Sequence, residues 1–246
     1  MNVDTVPRTL AVAVFVALVC SALVSSAVYL LRPMQQGYAL VERNRAVLDA
    51  AGWLAEDGVS DREVVERFLD LEAHVVDLTT GAYVPELDGH AFDHWRPVAT
   101  ANSSGNKSQS TDRVPVYIVR DDDRLERIVL PVHGPGMWST IYGYVALDAD
   151  LATVRDIVFF QHGETPGVGD RIEDPDWRDE WQGKKIYDSD GSVRIDVVKG
   201  GTSEFEVDLI SGASVTCDAV GSFVRDWFSA EGYRPFLVRL RMEEQP

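Results

Sequence analysis

The chain has 246 residues and a formal net charge of −17, and 45% of its residues are hydrophobic. This length suffices for one full domain with an additional element, or for two small domains. The acidity excludes nucleic-acid binding by phosphate neutralisation, since no basic stripe interrupts it, and two cysteines are too few for a disulfide framework.

The first predicted element is a membrane-spanning helix over residues 9–31, after a short N-terminal tail of residues 1–8. The run is uncharged, mostly apolar and long enough to cross the hydrocarbon core of a bilayer. A cleaved signal peptide is the alternative, with residues 25–27 as a weak cleavage site. Apolar residues continue past that site, so we favour a retained anchor in contact with lipid. The flanking arginines do not decide which side of the membrane the rest of the chain occupies.

Residues 32–112 are predicted to form a helical stalk and a variable loop region. Helical spacing of apolar residues runs over 34–56, and Gly58 is expected to end this helix. Residues 60–63, Ser-Asp-Arg-Glu, have the pattern of a capping box, which predicts that another helix begins there. Residues 102–111 are rich in Ser, Asn and Gly and predict a mobile surface loop.

Two histidines in this region have the spacing of a metal-ligand pair. His90 and His94 are four positions apart, with Asp93 between them. No third ligand is apparent in the sequence, and the segment lacks a convincing helical pattern. We therefore predict no metal site there.

Residues 113–246 are predicted to form the main domain, because the pattern changes here from helical spacing to alternation. The segments that predict strands are 116–119, 127–132, 141–147, 153–160 and 193–198. Helical spacing is confined to the N-terminal third, to a short acidic segment at 176–181, and to the residues after Ser214. This order predicts the α+β class, with a twisted antiparallel sheet and helices packed on it.

One stretch of this domain, residues 208–216, has the pattern of a ligand-binding turn. Alternation at residues 205–207 predicts the end of a strand before it, and a helix follows. Gly212 permits a sharp turn of the backbone. The hydroxyl side chains at Ser211, Ser214 and Thr216 would lie at the start of the helix, where unpaired N–H groups favour a phosphate. The alternative is an ordinary Ser or Thr N-cap without a ligand.

The whole stretch resembles the flavinylation motif D-x-x-[ST]-G-A-[ST]-x-T of the FMN-binding-domain family. The matching residues are Asp208, Ser211, Gly212, Ala213, Ser214 and Thr216. The resemblance implies that Thr216 carries FMN through a phosphoester bond to the ribityl phosphate. It also implies that Asp208 is part of what a flavin transferase recognises. A match at six specified positions is much more specific than a single glycine-rich loop.

Three further segments are similar to one branch of that family, the C subunits of sodium-translocating NADH:quinone reductases. Residues 132–144 resemble its G-x-G-[LM]-W-S-x-[MI]-Y-G segment, and residues 162–169 resemble its H-x-E-T-P-G-[LV]-G segment. Residues 232–237 resemble its C-terminal strand. One departure is Pro135, where that family usually has Lys, which leaves a phosphate contact from this position in doubt. The G subunit of the Rnf electron-transfer complex shares two of the motifs and is the nearest alternative.

The resemblance assigns further residues to the flavin site. Glu164, Thr165 and Val168 would line the flavin, Gly167 would permit close approach of the backbone, and Trp138 would form an apolar wall. Trp138 as an ordinary core residue and Glu164 as a solvated carboxylate are the alternatives.

The function implied is electron transfer without catalysis by this chain alone. It has no NAD-binding glycine fingerprint and no cysteine cluster for iron–sulfur, so we assign no catalytic residue. By resemblance it would pass electrons between neighbouring subunits toward quinone, in a bacterial inner membrane with its soluble domain in the periplasm. A membrane-anchored extracytoplasmic binding module without flavin is the alternative from a different functional class.

Overall fold

The computed structural model describes residues 5–54, 58–95 and 112–244. Its α-helices are α1 (Thr5–Ala50), α2 (Asp61–Asp70), α3 (Pro175–Asp179), α4 (Ser214–Trp227) and α5 (Arg234–Glu244). Its strands are β1 (Glu72–Asp77), β2 (Ala82–Tyr83), β3 (Arg113–Asp121), β4 (Arg124–Pro135), β5 (Thr140–Asp148), β6 (Val154–Gln161), β7 (Asp196–Val198) and β8 (Glu206–Asp208). A short 3₁₀ helix covers Gly169–Glu173. The predicted α+β class is confirmed.

Six strands form one antiparallel sheet in the order β2-β1-β3-β4-β5-β6. The four strands β3 to β6 follow one another as hairpins, which confirms the strands predicted between residues 116 and 160. The hairpin between β3 and β4 turns through Asp122 and Asp123, whose φ angles are 45° and 64°. Left-handed backbone at both positions of a two-residue turn gives a twist that matches the twist of the strands.

This sheet is buried on both faces. On one face, Ile141, Val145 and Leu147 of β5 belong to the hydrophobic core that also includes residues of α4 and α5. Tyr144 is one position out of phase with them, so it lies on the opposite face, where it is fully buried and stacks on Phe160. The central strands can therefore carry apolar residues in both phases of the alternation.

Helix α4 approaches the sheet closely at Gly134 of β4. A Cβ atom at this position would lie 2.3 Å from the Cβ of Phe223, so a larger residue would displace the helix. Near the end of the same helix, Trp227 donates a hydrogen bond from Nε1 to the carbonyl oxygen of His133 at 2.7 Å. These contacts fix the position of α4 on the sheet.

The opposite face of the sheet is covered by α2 and by residues 84–95. Phe68 of α2 packs against Tyr117 of β3, with ring centroids 5.6 Å apart. Trp95 packs edge-on against Tyr142 of β5 at 5.0 Å. Helix α2 begins with the predicted capping box, in which the side chains and backbone of residues 60 and 63 exchange hydrogen bonds.

Helix α1 contains the apolar run predicted at residues 9–31. The segment Pro7–Arg32 has a mean hydropathy of 2.5 and is long and apolar enough to cross a membrane. The N-terminal apolar helix is thus confirmed, whereas its insertion into a bilayer stays a prediction. The chain divides into two compact units, Met1–Glu42 and Arg43–Pro246, and the sheet belongs to the second.

The C-terminal end of α1 lies earlier than predicted. The helix ends at Ala50, not at Gly58, because Gly52 adopts a left-handed φ of 74°. The N–H of Trp53 bonds to the carbonyl of Leu48, and the N–H of Gly52 bonds to the carbonyl of Asp49, both at 2.8 Å. This pair of bonds is the Schellman motif, which satisfies the last carbonyls of a helix.

Three other differences concern strands. The predicted C-terminal strand at residues 232–237 is wrong, because Arg234–Glu244 is helical and buries residues 236, 237 and 240 at helical spacing. Strands β1 and β2 lie in the region where only helices and loops were predicted. The strand predicted at 193–198 is shorter, and β7 pairs in parallel with β8 in a separate small sheet. The predicted loop at 102–111 lies outside the described residues.

The buried ring of His94 predicts a dependence of stability on pH. Neither of its ring nitrogens has a hydrogen-bond partner among the described residues. Burial, with a contribution from the nearby His133, lowers the pKa of His94 from 6.5 to about 2. Below pH 6.5 the unfolded chain therefore binds a proton at this ring that the folded chain does not bind, and the free energy of unfolding falls with the pH.

We expect His94→Phe to reduce this loss by at most about 1.4 kcal/mol per pH unit, the contribution of one titrating group. The measurement is urea unfolding of the full chain in detergent, at pH values between about 7.5 and about 4.5. At the higher pH neither the His94 ring of the wild type nor the Phe ring of the variant is charged. The difference in stability between the two proteins at that pH therefore gives the packing effect of the substitution. An equal loss of stability in both proteins on acidification would contradict the prediction.

Candidate functional site

The stretch 208–216 forms a turn that leads from β8 into α4. Gly212 adopts a φ of 89°, which a residue with a side chain rarely adopts. The N-cap residue of α4 is Ala213, and no side chain caps the helix. The interpretation of the stretch as an ordinary Ser or Thr N-cap is therefore wrong. The first N–H groups of α4 have no intrahelical partner, so this end of the helix favours an anion.

Thr216 lies in the first turn of α4, and its hydroxyl points inward. Only 2% of the residue is exposed, whereas Ser211 and Ser214 are on the surface. The hydroxyl donates a hydrogen bond of 2.6 Å to Oε2 of Glu164, which is itself 5% exposed. The alternative of Glu164 as a solvated carboxylate is therefore wrong.

The carboxylate of Glu164 connects three segments of the domain. Its Oε1 atom accepts a hydrogen bond of 3.1 Å from the backbone N–H of Trp138, in the hairpin between β4 and β5. Its Oε2 atom contacts α4 through Thr216, and Glu164 itself follows β6. A buried carboxylate needs such partners, because burial without hydrogen bonds would be very costly.

Two glycines provide the space for this contact. A Cβ atom at Gly136 would lie 2.6 Å from Oε1 of Glu164. A Cβ atom at Gly169 would lie 2.9 Å from the hydroxyl oxygen of Thr216 and 3.2 Å from Oε2 of Glu164. Neither glycine has a left-handed φ, so the requirement is for close approach rather than for conformational freedom.

Residues 164–169 form a tight turn beside Thr216, as their sequence predicted. The carbonyl oxygen of Thr165 accepts hydrogen bonds from the N–H groups of Val168 and Gly169, at 3.1 and 3.0 Å. Gly167 has a left-handed φ of 75°, which the turn requires. The turn thus presents the side chains of Thr165 and Val168 at the surface.

Trp138 lies on the surface next to this turn. It is 66% exposed, so the alternative of an ordinary core residue is wrong. Its indole Nε1 donates a hydrogen bond of 3.0 Å to the hydroxyl of Thr165. The bond holds a large aromatic face in one orientation while leaving it accessible.

Exposed apolar side chains accompany the buried hydroxyl on all three segments. They are Met137, Trp138, Val168 and Val215. Sequence analysis assigned no role to Met137 and Val215, although both lie within motif segments, because their exposure could not be derived from a single sequence. Apolar side chains exposed beside a polar group are typical of a binding surface.

Asp208 of the motif and Cys217, which follows the motif, have structural contacts. The Oδ1 atom of Asp208 accepts a hydrogen bond of 2.6 Å from the N–H of Gly200, and its carbonyl accepts one of 2.8 Å from Trp177. Cys217 is buried, and its Sγ accepts a bond of 3.3 Å from the N–H of Ile210. Burial raises the pKa of this thiol, which makes it a packed residue rather than a reactive one.

Within the described ranges, no group of three or more His, Cys, Asp or Glu side chains could hold a metal ion. His90 instead lies 2.8 Å from the carbonyl oxygen of Leu71 through its Nε2 atom.

Comparison with known proteins identifies related sequences over nearly the whole chain. The sequence model of the FMN-binding domain family matches residues 136–229, which include every residue predicted for the flavin site. The C subunit of the Na(+)-translocating NADH-quinone reductase of Pseudomonas aeruginosa is 34% identical over 259 residues, with 99% of each chain covered. The corresponding protein of Vibrio alginolyticus is 35% identical, with 98% of this chain and 97% of that protein covered.

Solved structures agree with the sequence comparisons. The crystal structure of NqrC from Shewanella oneidensis superposes with a TM-score of 0.70 at 32% identity, covering 83% of this chain and 99% of that chain. The crystal structure of the reductase's C subunit from Parabacteroides distasonis gives a TM-score of 0.67 at 29% identity, covering 84% and 96%.

The space at Gly169 gives a prediction about the buried hydrogen bond. We expect Gly169→Ala to lower the free energy of unfolding by about 1–3 kcal/mol, because the added methyl group meets the hydroxyl oxygen of Thr216. In a chain that also carries Thr216→Ala, the cost should fall by about 1 kcal/mol, since that oxygen is gone.

The measurement is a double-mutant cycle from urea unfolding of the full chain in detergent. Gly183→Ala is the matched control, because nothing lies within 4 Å of its added methyl group and only its left-handed φ opposes the substitution. The cost of the control should be the same with and without Thr216→Ala. Additive effects of Gly169→Ala and Thr216→Ala would contradict the prediction.

Proposed function

We infer the function from one premise, that this chain belongs to the family of the C subunits of Na(+)-translocating NADH-quinone reductases. It is an FMN-binding subunit for electron transfer within such a complex, not a complete enzyme. Agreement over nearly the full length favours this family over the Rnf-type G subunit. The alternative of a binding module without flavin requires that residues 208–216 are an ordinary helix cap, and no side chain caps α4.

We propose that FMN is bound covalently, through a phosphoester to the hydroxyl of Thr216. The observation that carries this proposal is the position of that hydroxyl in the first turn of a helix that no side chain caps. The phosphate would thus lie at the positive end of the helix dipole, near unpaired N–H groups. Gly212 gives the backbone its sharp turn, and Ala213 is buried beneath it, so both would shape the phosphate site.

The surface around Thr216 also suits a flavin ring. Trp138 would provide an aromatic face, with Met137, Val168 and Val215 as further apolar contacts. Thr165 would orient the indole through the hydrogen bond that it accepts. When bound, FMN supplies reversible one-electron chemistry, and a covalent bond would prevent its dissociation while the domain meets different partners.

The motif and the apolar helix suggest the partners. We propose that a flavin transferase recognises Asp208 together with Ser211 and Ser214, of which both serines are exposed. Other subunits of the reductase would deliver electrons and accept them on the way to quinone. Residues 9–31 would anchor the chain in the lipid of the bacterial inner membrane, and the soluble domain would lie on the periplasmic side.

The domain bounds that we propose follow from these roles. After the tail at residues 1–8 and the anchor, residues 32–112 would link the membrane to the flavin domain of residues 113–246. Strands β1 and β2 of the linking region pair with the sheet of the flavin domain, so this region would also support that domain.

Removal of one hydroxyl tests the covalent bond. We expect Thr216→Val to abolish covalent flavin, because the side chain keeps its shape but loses the oxygen that forms the ester. The matched control is Thr202→Val, which changes an exposed threonine outside the motif in the same way. Thr216→Ser keeps a hydroxyl and should retain flavin.

The measurement combines fluorescence of the denatured chain on a gel with the mass of the peptide that contains residue 216. Each full-length variant is produced together with its complex partners and the flavin transferase. Circular dichroism checks folding, since the buried carboxylate loses its donor in Thr216→Val at a cost of about 1–3 kcal/mol. Unmodified Thr216 in the wild-type complex, or fluorescent Thr216→Val, would overturn the proposal.

A further inference from the structure

The hydrogen bond between Thr216 and Glu164 is the basis of a further inference. A threonine hydroxyl is a weak nucleophile until its proton is removed by an adjacent base. A base must lie within about 2.6–3.2 Å of the oxygen whose proton it takes. Oε2 of Glu164 lies 2.6 Å from the hydroxyl oxygen of Thr216.

We propose that Glu164 is the catalytic base of the reaction that attaches flavin to this chain, so that the acceptor protein supplies part of its own modification chemistry. The inference rests on the proposed attachment at Thr216. It adds a role for Glu164 before the cofactor is bound, beyond the lining of the flavin site.

The reaction balances as a transfer of a phosphoryl group. The hydroxyl oxygen of Thr216 attacks the phosphorus of a flavin phosphate that is joined to a nucleotide through a phosphoanhydride. The new oxygen–phosphorus bond forms while the anhydride bond breaks, and the nucleoside monophosphate leaves with the electron pair. Glu164 receives the proton of Thr216 and later releases it to solvent or to the leaving phosphate. No group is oxidised or reduced.

The surroundings of Glu164 hold its carboxylate ready for this role. The N–H of Trp138 occupies Oε1, which leaves Oε2 directed at Thr216. No lysine or arginine within the described residues forms a salt bridge with this carboxylate. Its buried position, between Gly136 and Gly169, keeps it in one place. A base that is fixed by its neighbours needs no reorganisation before it accepts a proton.

The same contact implies that access to Thr216 depends on the turn at residues 165–169. Gly169 lies directly against the hydroxyl oxygen, so displacement of this turn would expose Thr216. Glu164 is held from the other side by the hairpin that contains Trp138, and it can stay in place during that movement. After attachment the ester oxygen has no hydrogen to donate, so the bond to Glu164 cannot form again.

The test measures the rate of attachment on purified full-length chain that was produced without the transferase. The chain, in detergent, is mixed with purified transferase and flavin dinucleotide, and covalent fluorescence is followed with time. We expect Glu164→Gln to lower the initial rate by about 100-fold or more, the usual contribution of a general base. Glu164→Asp keeps a carboxylate and should lose less.

The matched control is Glu173→Gln, which makes the same change at a half-exposed carboxylate beside His162 that does not contact Thr216. Its rate should equal that of the wild type.

A purely structural role of Glu164 is separated by chemical rescue. In Glu164→Ala, added acetate should restore part of the lost rate, and it should not affect the control. Equal rates for Glu164→Gln and the wild type, or a slow Glu164→Ala that acetate does not restore, would overturn the inference alone. A wild-type chain that is never modified at Thr216 would overturn the proposed function as well.

Discussion

In the chain without attached flavin, the arrangement of the flavin domain depends on one buried carboxylate and the two donors that satisfy it. Glu164 accepts a hydrogen bond of 2.6 Å from the hydroxyl of Thr216 and one of 3.1 Å from the N–H of Trp138. Hydrogen bonds to a charged group contribute about 1.5–3 kcal/mol each, and loss of either partner leaves a costly buried charge. The helix that starts at Ser214, the turn after β6 and the hairpin after β4 therefore keep a common arrangement.

The sheet determines why these segments meet. Strands β4, β5 and β6 are antiparallel neighbours, so the hairpin between β4 and β5 and the chain that leaves β6 lie at the same end of the strands. Helix α4 packs across the sheet on the face of the main hydrophobic core, and its first turn reaches that end of the strands. A motif that is spread over about 80 residues of sequence thus becomes one surface, with apolar side chains outside and a hydroxyl beneath.

Much of this architecture could be predicted from the sequence, because its signals are local. Alternation revealed β3 to β6, and the pattern before and after Gly212 revealed the turn into α4. Predictions failed where the decisive contact is distant or subtle, as at Gly52, whose left-handed backbone ends α1 early. The pairing of Glu164 with Thr216 spans 52 positions, so spacing could not indicate it. The motif singled out both residues, but only the fold shows that they touch.

The absence of a side chain at Gly134 has an effect at the other end of α4. Phe223 lies directly on this glycine, two turns along the helix from Thr216, and backbone hydrogen bonds join those turns, so a displacement at one affects the other. A methyl group at Gly134 would therefore shift α4 and move Thr216, in its first turn, away from Glu164. Such a variant would keep every chemical group of the site, but Thr216 and Glu164 would no longer be aligned with each other.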